Sequence, residues 1–175
     1  VNTANAKQET NIAKQLAKAK KELEEEKLRQ AQLARSKKIS AQLVDSNYDP
    51  EVIISVNRGG CIPGIYLSHY LNKPHEVINI ELRDSNSEPD LISIKEKIKQ
   101  FNSVLIIDDI NDSGNTIRII KDISKHLTTK IHFAVLINKS ESKSKVEYYG
   151  KTVNTKLHDY WYVFPWENWW EIDEK

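Results

Sequence analysis

The chain has 175 residues, enough for one well-packed domain with room for an appendage. Its 26 Lys and Arg nearly balance its 25 Asp and Glu, so it carries no general attraction for a polyanion, which argues against a nucleic-acid partner. A single cysteine, Cys61, excludes an internal disulfide and suits a reducing compartment, and no apolar run approaches the roughly 20 residues of a membrane span. No signal-peptide pattern opens the chain, so a cytoplasmic protein is expected. The first residue is Val and Met is absent, which reads as a start that is missing or processed.

Residues 1–46 lack Gly and Pro and are rich in Ala, Lys, Glu, Gln and Leu, which predicts one long helix. Ile12, Leu16, Ala19 and Leu23 form a short coiled-coil-like seam that fades at Glu26 and Gln30. A solvated helix and a partner or oligomerisation helix both fit that pattern. Ile39, Leu43 and Val44 are expected to dock on the core, and Asn47-Tyr48-Asp49-Pro50 forms the turn out of the helix. From there strands and helices alternate. Strands are predicted at 52–56, 76–82, 104–108 and 131–138, with short ones at 147–149 and 160–164. Helices are predicted at 62–71, with Pro63 in the first turn, at 91–99 and at 116–127. This alternation implies an α/β fold, a parallel sheet with helices on both faces. In such sheets ligands sit at the carboxyl ends of the strands.

Two loops leave from that end. In the first, the aliphatic run 104–107 delivers Asp108 and Asp109, followed by Asp112, Ser113, Gly114, Asn115 and Thr116. Amides of a small-residue loop entering a helix N-terminus converge on one spot, and the helix dipole makes it favourable for an anion such as a phosphate. Ser113 and Thr116 can add hydroxyl donors. Asp108 and Asp109 would repel that phosphate, and suit vicinal hydroxyls or a divalent cation instead. An acidic turn with a helix cap is the bland alternative. The second loop is Asn57-Arg58-Gly59-Gly60. Its glycines permit close backbone approach, and Arg58 offers a fork for phosphate oxygens. Together the loops suggest a ligand with phosphates at both ends.

These residues resemble the type I phosphoribosyltransferases, which bind 5-phosphoribosyl-1-pyrophosphate (PRPP). Residues 104–116 are similar to the family signature, and 53–60 with Pro63-Gly64 to its pyrophosphate loop. Lys139 and the segment Trp161 to Glu167 resemble the purine-binding hood of bacterial xanthine-guanine and hypoxanthine enzymes. The resemblance covers about residues 38–172. It implies a helical extension over 1–37 and a phosphoribosyltransferase domain over 38–175, with a small hood built largely from 139–175. Asp108 and Asp109 would hold the ribose hydroxyls, 112–116 the 5-phosphate, and Arg58 with Gly59 the pyrophosphate. Asp112 would be the general base at purine N7, Lys139 would donate to the 6-oxo group, Trp161 would stack on the base, and the Tyr162 backbone would read its edge. Mg²⁺ is the implied cofactor, held through Asp108, Asp109 and Glu167. Loop 83–90, with Arg83, is the candidate lid.

The expected activity is transfer of phosphoribosyl from PRPP to a 6-oxopurine (hypoxanthine, guanine or xanthine) in purine salvage, by a homo-oligomer. The alternative is a non-catalytic PRPP-sensing regulator or interaction protein on the same fold. Two features depart from the family pattern: Asn115 stands where xanthine-guanine enzymes have Gly, and the 139–145 loop is unusually rich in Ser and Lys.

Overall fold

The computed structural model describes residues 2–80, 89–155 and 162–167. Helix α1 (Asn2–Asp45) is followed by β1 (Val52–Asn57), α2 (Cys61–Leu71), β2 (His75–Asn79), α3 (Leu91–Ile98), β3 (Ser103–Asn111), α4 (Asn115–Ser124), β4 (Lys130–Lys139) and β5 (Tyr148–Val153). The chain divides into two compact units, residues 34–160 and residues 1–33 with 161–175.

The larger unit holds one five-stranded sheet in the order β2-β1-β3-β4-β5, with every pairing parallel. The Val/Ile runs of β1 and β3 are buried on both faces, as central parallel strands must be. One face packs Val52, Ile54, Val104, Ile106 and Phe133 against Ile94 and Ile98 of α3 and Ile117 and Ile120 of α4. Burying each of these side chains contributes about 1.5–3 kcal/mol relative to exposure. Helix α2 packs against β1 and β3.

The β4–β5 connection is short for a parallel pair. Only residues 140–147 join the strands, where a crossover usually takes a dozen or more, commonly as a helix. Here the chain itself covers the sheet. Val146 packs on the core, and the Glu147 carboxylate accepts from the Phe133 amide at 2.7 Å. Lys121 of α4 donates to the Lys145 carbonyl at 2.7 Å.

The C-terminal part of α1 docks on the sheet through buried Ile39 and Leu43. The Gln42 side chain accepts from the Tyr149 amide at 3.1 Å and donates to its carbonyl at 2.9 Å, pairing the exposed edge of β5. Val44 does not dock: it is 64% exposed, because it lies beside Leu43 on a helix whose buried stripe is one side wide. Beyond α1, Tyr48 donates to the Val104 carbonyl at 2.7 Å and stacks on His132 with ring centroids 3.8 Å apart.

Several boundaries differ from the sequence reading. Strand β3 continues through the acidic residues to Asn111, because β4 pairs with it as far as Asn111–Asn138. Ladder hydrogen bonds outweigh the low strand propensity of Asp and Asn. Helix α4 starts at Asn115 and stops at Ser124, short of Leu127. Of the strand expected over 160–164, residues 162–164 are not in a strand, and 160–161 lie outside the described residues.

Candidate active site

Parallel pairing puts the ends of β1, β3 and β4 on one edge of the sheet, so the segments 58–60, 112–114 and 140–147 leave together. The first two meet directly. A Cβ built on Gly59 would fall 1.9 Å from Asp109 Oδ2 and 2.3 Å from its Cγ. The Asp109 carboxylate therefore lies on the Gly59 backbone, and only glycine leaves it room. The Asn57–Arg58 peptide is cis, Arg58 is exposed, and Asn57 Nδ2 donates to Asn79 Oδ1 at 2.8 Å.

Asp108 and Asp109 interact closely. The Asp109 amide donates to Asp108 Oδ1 at 2.9 Å. Loss of solvation, and then the charge of Asp109, push the Asp108 carboxyl well above the usual carboxylate range. Two crowded carboxylates at a strand end are a donor set that a cation or a pair of sugar hydroxyls would relieve. Among the described residues, no cluster of three or more His, Cys, Asp or Glu side chains forms a complete metal site. A cation here would need further oxygens from its ligand.

The phosphate-type loop is compact. Gly114 is the N-cap of α4, with φ +84°, and it makes no side-chain cap bond. Ser113 Oγ approaches the Asn115 amide at 3.4 Å. The first amides of a helix have no partner within it, so those of α4 face this loop, and the helix dipole adds positive potential. Arg118 is the first amide to turn back, donating to the Gly114 carbonyl at 3.0 Å.

Lys139 Nζ reaches Asp112 Oδ1 at 2.6 Å, and both side chains remain partly open to solvent. The residue at the end of β4 and the first residue of the phosphate-type loop thus form an ion pair at the edge of the site. Cys61 begins α2 nearby, and its thiol is pushed up by burial and then by the Asp108 charge, so it is a poor nucleophile.

Of the residues assigned to the hood, Lys139 lies in the larger unit, whereas 161–167 belong to the other. Glu167 Oε2 accepts from the Phe164 amide at 2.9 Å, and its own amide donates to the Phe164 carbonyl at 2.9 Å, closing a turn. Phe164 and Trp166 stack with centroids 4.9 Å apart. The Glu167 carboxylate is thus engaged within its own turn. Tyr162 precedes that turn. Trp161 and Arg83 lie outside the described residues.

Sequence reasoning missed the third loop. Asn111 is buried, and its Nδ2 donates to Asn138 Oδ1 at 2.8 Å and to the Ser144 carbonyl at 2.7 Å. Ser142 Oγ donates to Asn111 Oδ1 at 2.7 Å, and Ser144 Oγ to the Gly114 carbonyl at 2.7 Å. The available signal was an amide residue two positions beyond the acidic pair, together with a Ser-rich loop.

A parallel sheet with a glycine-capped turn before α4, a glycine loop after β1 and carboxylates between them is the type I phosphoribosyltransferase fold. A family model described as a phosphoribosyl transferase domain matches residues 24–171. The chain belongs to that family. The xanthine-guanine phosphoribosyltransferase of Chromohalobacter salexigens is 27% identical over 127 residues, covering 72% of this chain and 73% of that protein. The enzyme of the same name from Gluconobacter oxydans is 29% identical over 142 residues, covering 78% and 80%. Among solved structures, a purine phosphoribosyltransferase from Pyrococcus horikoshii superimposes with TM-score 0.56 at 27% identity, covering 81% of this chain and 89% of that one.

Proposed function

We propose that the protein is a magnesium-dependent purine phosphoribosyltransferase that joins a 6-oxopurine to PRPP, giving the nucleoside 5'-monophosphate and pyrophosphate. The observation that carries the choice of base is the Lys139–Asp112 pair. A 6-oxopurine presents a carbonyl acceptor beside an imidazole N–H. The ammonium of Lys139 suits the first and the carboxylate of Asp112 the second, so the base would replace each partner's contact with the other.

The remaining roles follow from position. The amides and hydroxyls of 112–116 take the 5-phosphate. Asp108 and Asp109 accept from the ribose 2- and 3-hydroxyls and lie where a cation could be shared with the pyrophosphate. Arg58 and the Gly59 backbone contact that leaving group. N9 of the base bonds to C1 of the ribose as the C1–oxygen bond to pyrophosphate breaks, and Asp112 takes the proton released at N7. Magnesium, when bound with pyrophosphate, supplies charge neutralisation for its departure. Trp161 and the Tyr162 backbone would complete the base pocket, Glu167 would help orient the cation, and Arg83 would sit in the lid. The exposed seam of Ile12, Leu16 and Leu23 fits a homo-oligomer in the cytoplasm, with residues 1–37 as the extension.

Nucleotide selectivity tests the base assignment. The wild type should bind inosine monophosphate more tightly than adenosine monophosphate, whose 6-amino group cannot accept from Lys139. Lys139→Ala should erase that preference. Equal affinity of the wild type for both nucleotides would remove Lys139 from base recognition.

A further inference from the structure

We infer that Asn111, with Ser142 and Ser144 of the β4–β5 connector, is a positioning device that holds the 112–114 loop in its anion-binding shape. The inference rests on the phosphate-site reading of the previous subsection and assigns this chain's own residues to its support. The geometry is closed on itself. Asn111 is only 2% exposed, and its amide side chain uses both donors and its acceptor: Asn138 Oδ1 at 2.8 Å, the Ser144 carbonyl at 2.7 Å and the Ser142 hydroxyl at 2.7 Å. The connector then grips the loop from outside. Ser144 Oγ donates to the Gly114 carbonyl at 2.7 Å, and the Lys143 amide to the Ser113 carbonyl at 3.3 Å.

Contact is also steric. A Cβ on Gly114 would fall 2.6 Å from the Ser144 amide nitrogen and 2.8 Å from Ser142 Oγ. The connector therefore sits flush on the residue whose left-handed φ of +84° turns the loop into α4. With the Ser113 and Gly114 carbonyls tied outward, the adjoining peptide planes are fixed. Their amides are aimed before any ligand arrives, which lowers the ordering cost of binding. Burying an amide side chain is costly unless every group is satisfied, and here each group of Asn111 is.

The experiment compares Asn111→Val and Ser144→Ala with the wild-type full chain, using amide hydrogen exchange of residues 113–116 without ligand. It also measures affinity for ribose 5-phosphate and for magnesium pyrophosphate. Loss of the brace should speed exchange at 113–116 and weaken ribose 5-phosphate about tenfold, as expected for one or two net hydrogen bonds. Pyrophosphate, held at the 58–60 loop, should stay within about twofold. Ser144→Ala removes one partly exposed hydroxyl, so it keeps the test open if Asn111→Val does not fold. Unchanged exchange at 113–116 in both variants would overturn the inference, and so would equal weakening of both ligands, which signals general loss of structure. Faster exchange in a protein whose wild type binds neither ligand would uphold the brace and reject the phosphate-site reading.

Discussion

Gly59→Ala tests the meeting of the two loops. The added methyl would lie 1.9 Å from Asp109 Oδ2, 2.3 Å from Cγ and 2.8 Å from Oδ1, so no single-atom adjustment relieves it. Reaching ordinary contact requires the carboxylate to retreat by about 1.5 Å or more. Asp109 is only 9% exposed and has Asp108 as its neighbour, so the retreat is resisted on both sides. Overpacking of this kind costs about 1–3 kcal/mol, and a 1 Å misplacement of a reacting-site group lowers turnover by about 100-fold. Urea unfolding of Gly59→Ala, Asp109→Ala and the double variant separates the effects. The account predicts a coupling of about 1–3 kcal/mol, because the methyl costs little once the carboxylate is gone. An equal cost of Gly59→Ala in both backgrounds would show that Asp109 is not what excludes a side chain at position 59.

Further outcomes follow from other parts of the structure. Gly114→Ala should destabilise by about 2–5 kcal/mol in urea titrations, combining a left-handed backbone with a clash against the Ser144 backbone; a loss below about 1 kcal/mol would contradict this. His132, which stacks on Tyr48 and bonds the Tyr148 hydroxyl at 2.8 Å, is held below the ordinary histidine range by burial and then by Lys130. A depressed folded value means its stabilising contribution is present above about pH 6.5 and is lost as pH falls through the folded value. His132→Phe should therefore flatten the fall in stability between about pH 7 and 5, although His75, also lowered by burial, retains its share. An unaltered profile would dismiss His132 as a contributor. Asp112→Asn should reduce turnover by about 100- to 10,000-fold while PRPP affinity changes little; a comparable loss of PRPP binding would assign Asp112 to the sugar phosphate instead.

The central strands were legible because β1 and β3 carry short aliphatic runs, 52–54 and 104–107, a pattern that depends on nothing distant. The turn into α4 was legible because Ser113 to Thr116 places a glycine just before the helix, a local arrangement set within a few residues. The carboxyl end of β3 was misjudged because Asp109 and Asn111 are strand residues only by virtue of β4 beside them. Asn111 was overlooked for the same reason: its partners are 27 to 33 residues away, and no local rule connects a strand amide to Ser142 and Ser144. Val44 was placed inward on apolarity alone, whereas the helix stripe already had Ile39 and Leu43 to fill it.

Purine-dependent release of pyrophosphate from PRPP in the presence of Mg²⁺ tests the central claim most directly. The account predicts release with at least one of hypoxanthine, guanine and xanthine, accompanied by the matching nucleoside monophosphate. PRPP binding with no turnover on any of the three would contradict it and leave a sensing role for the same loops.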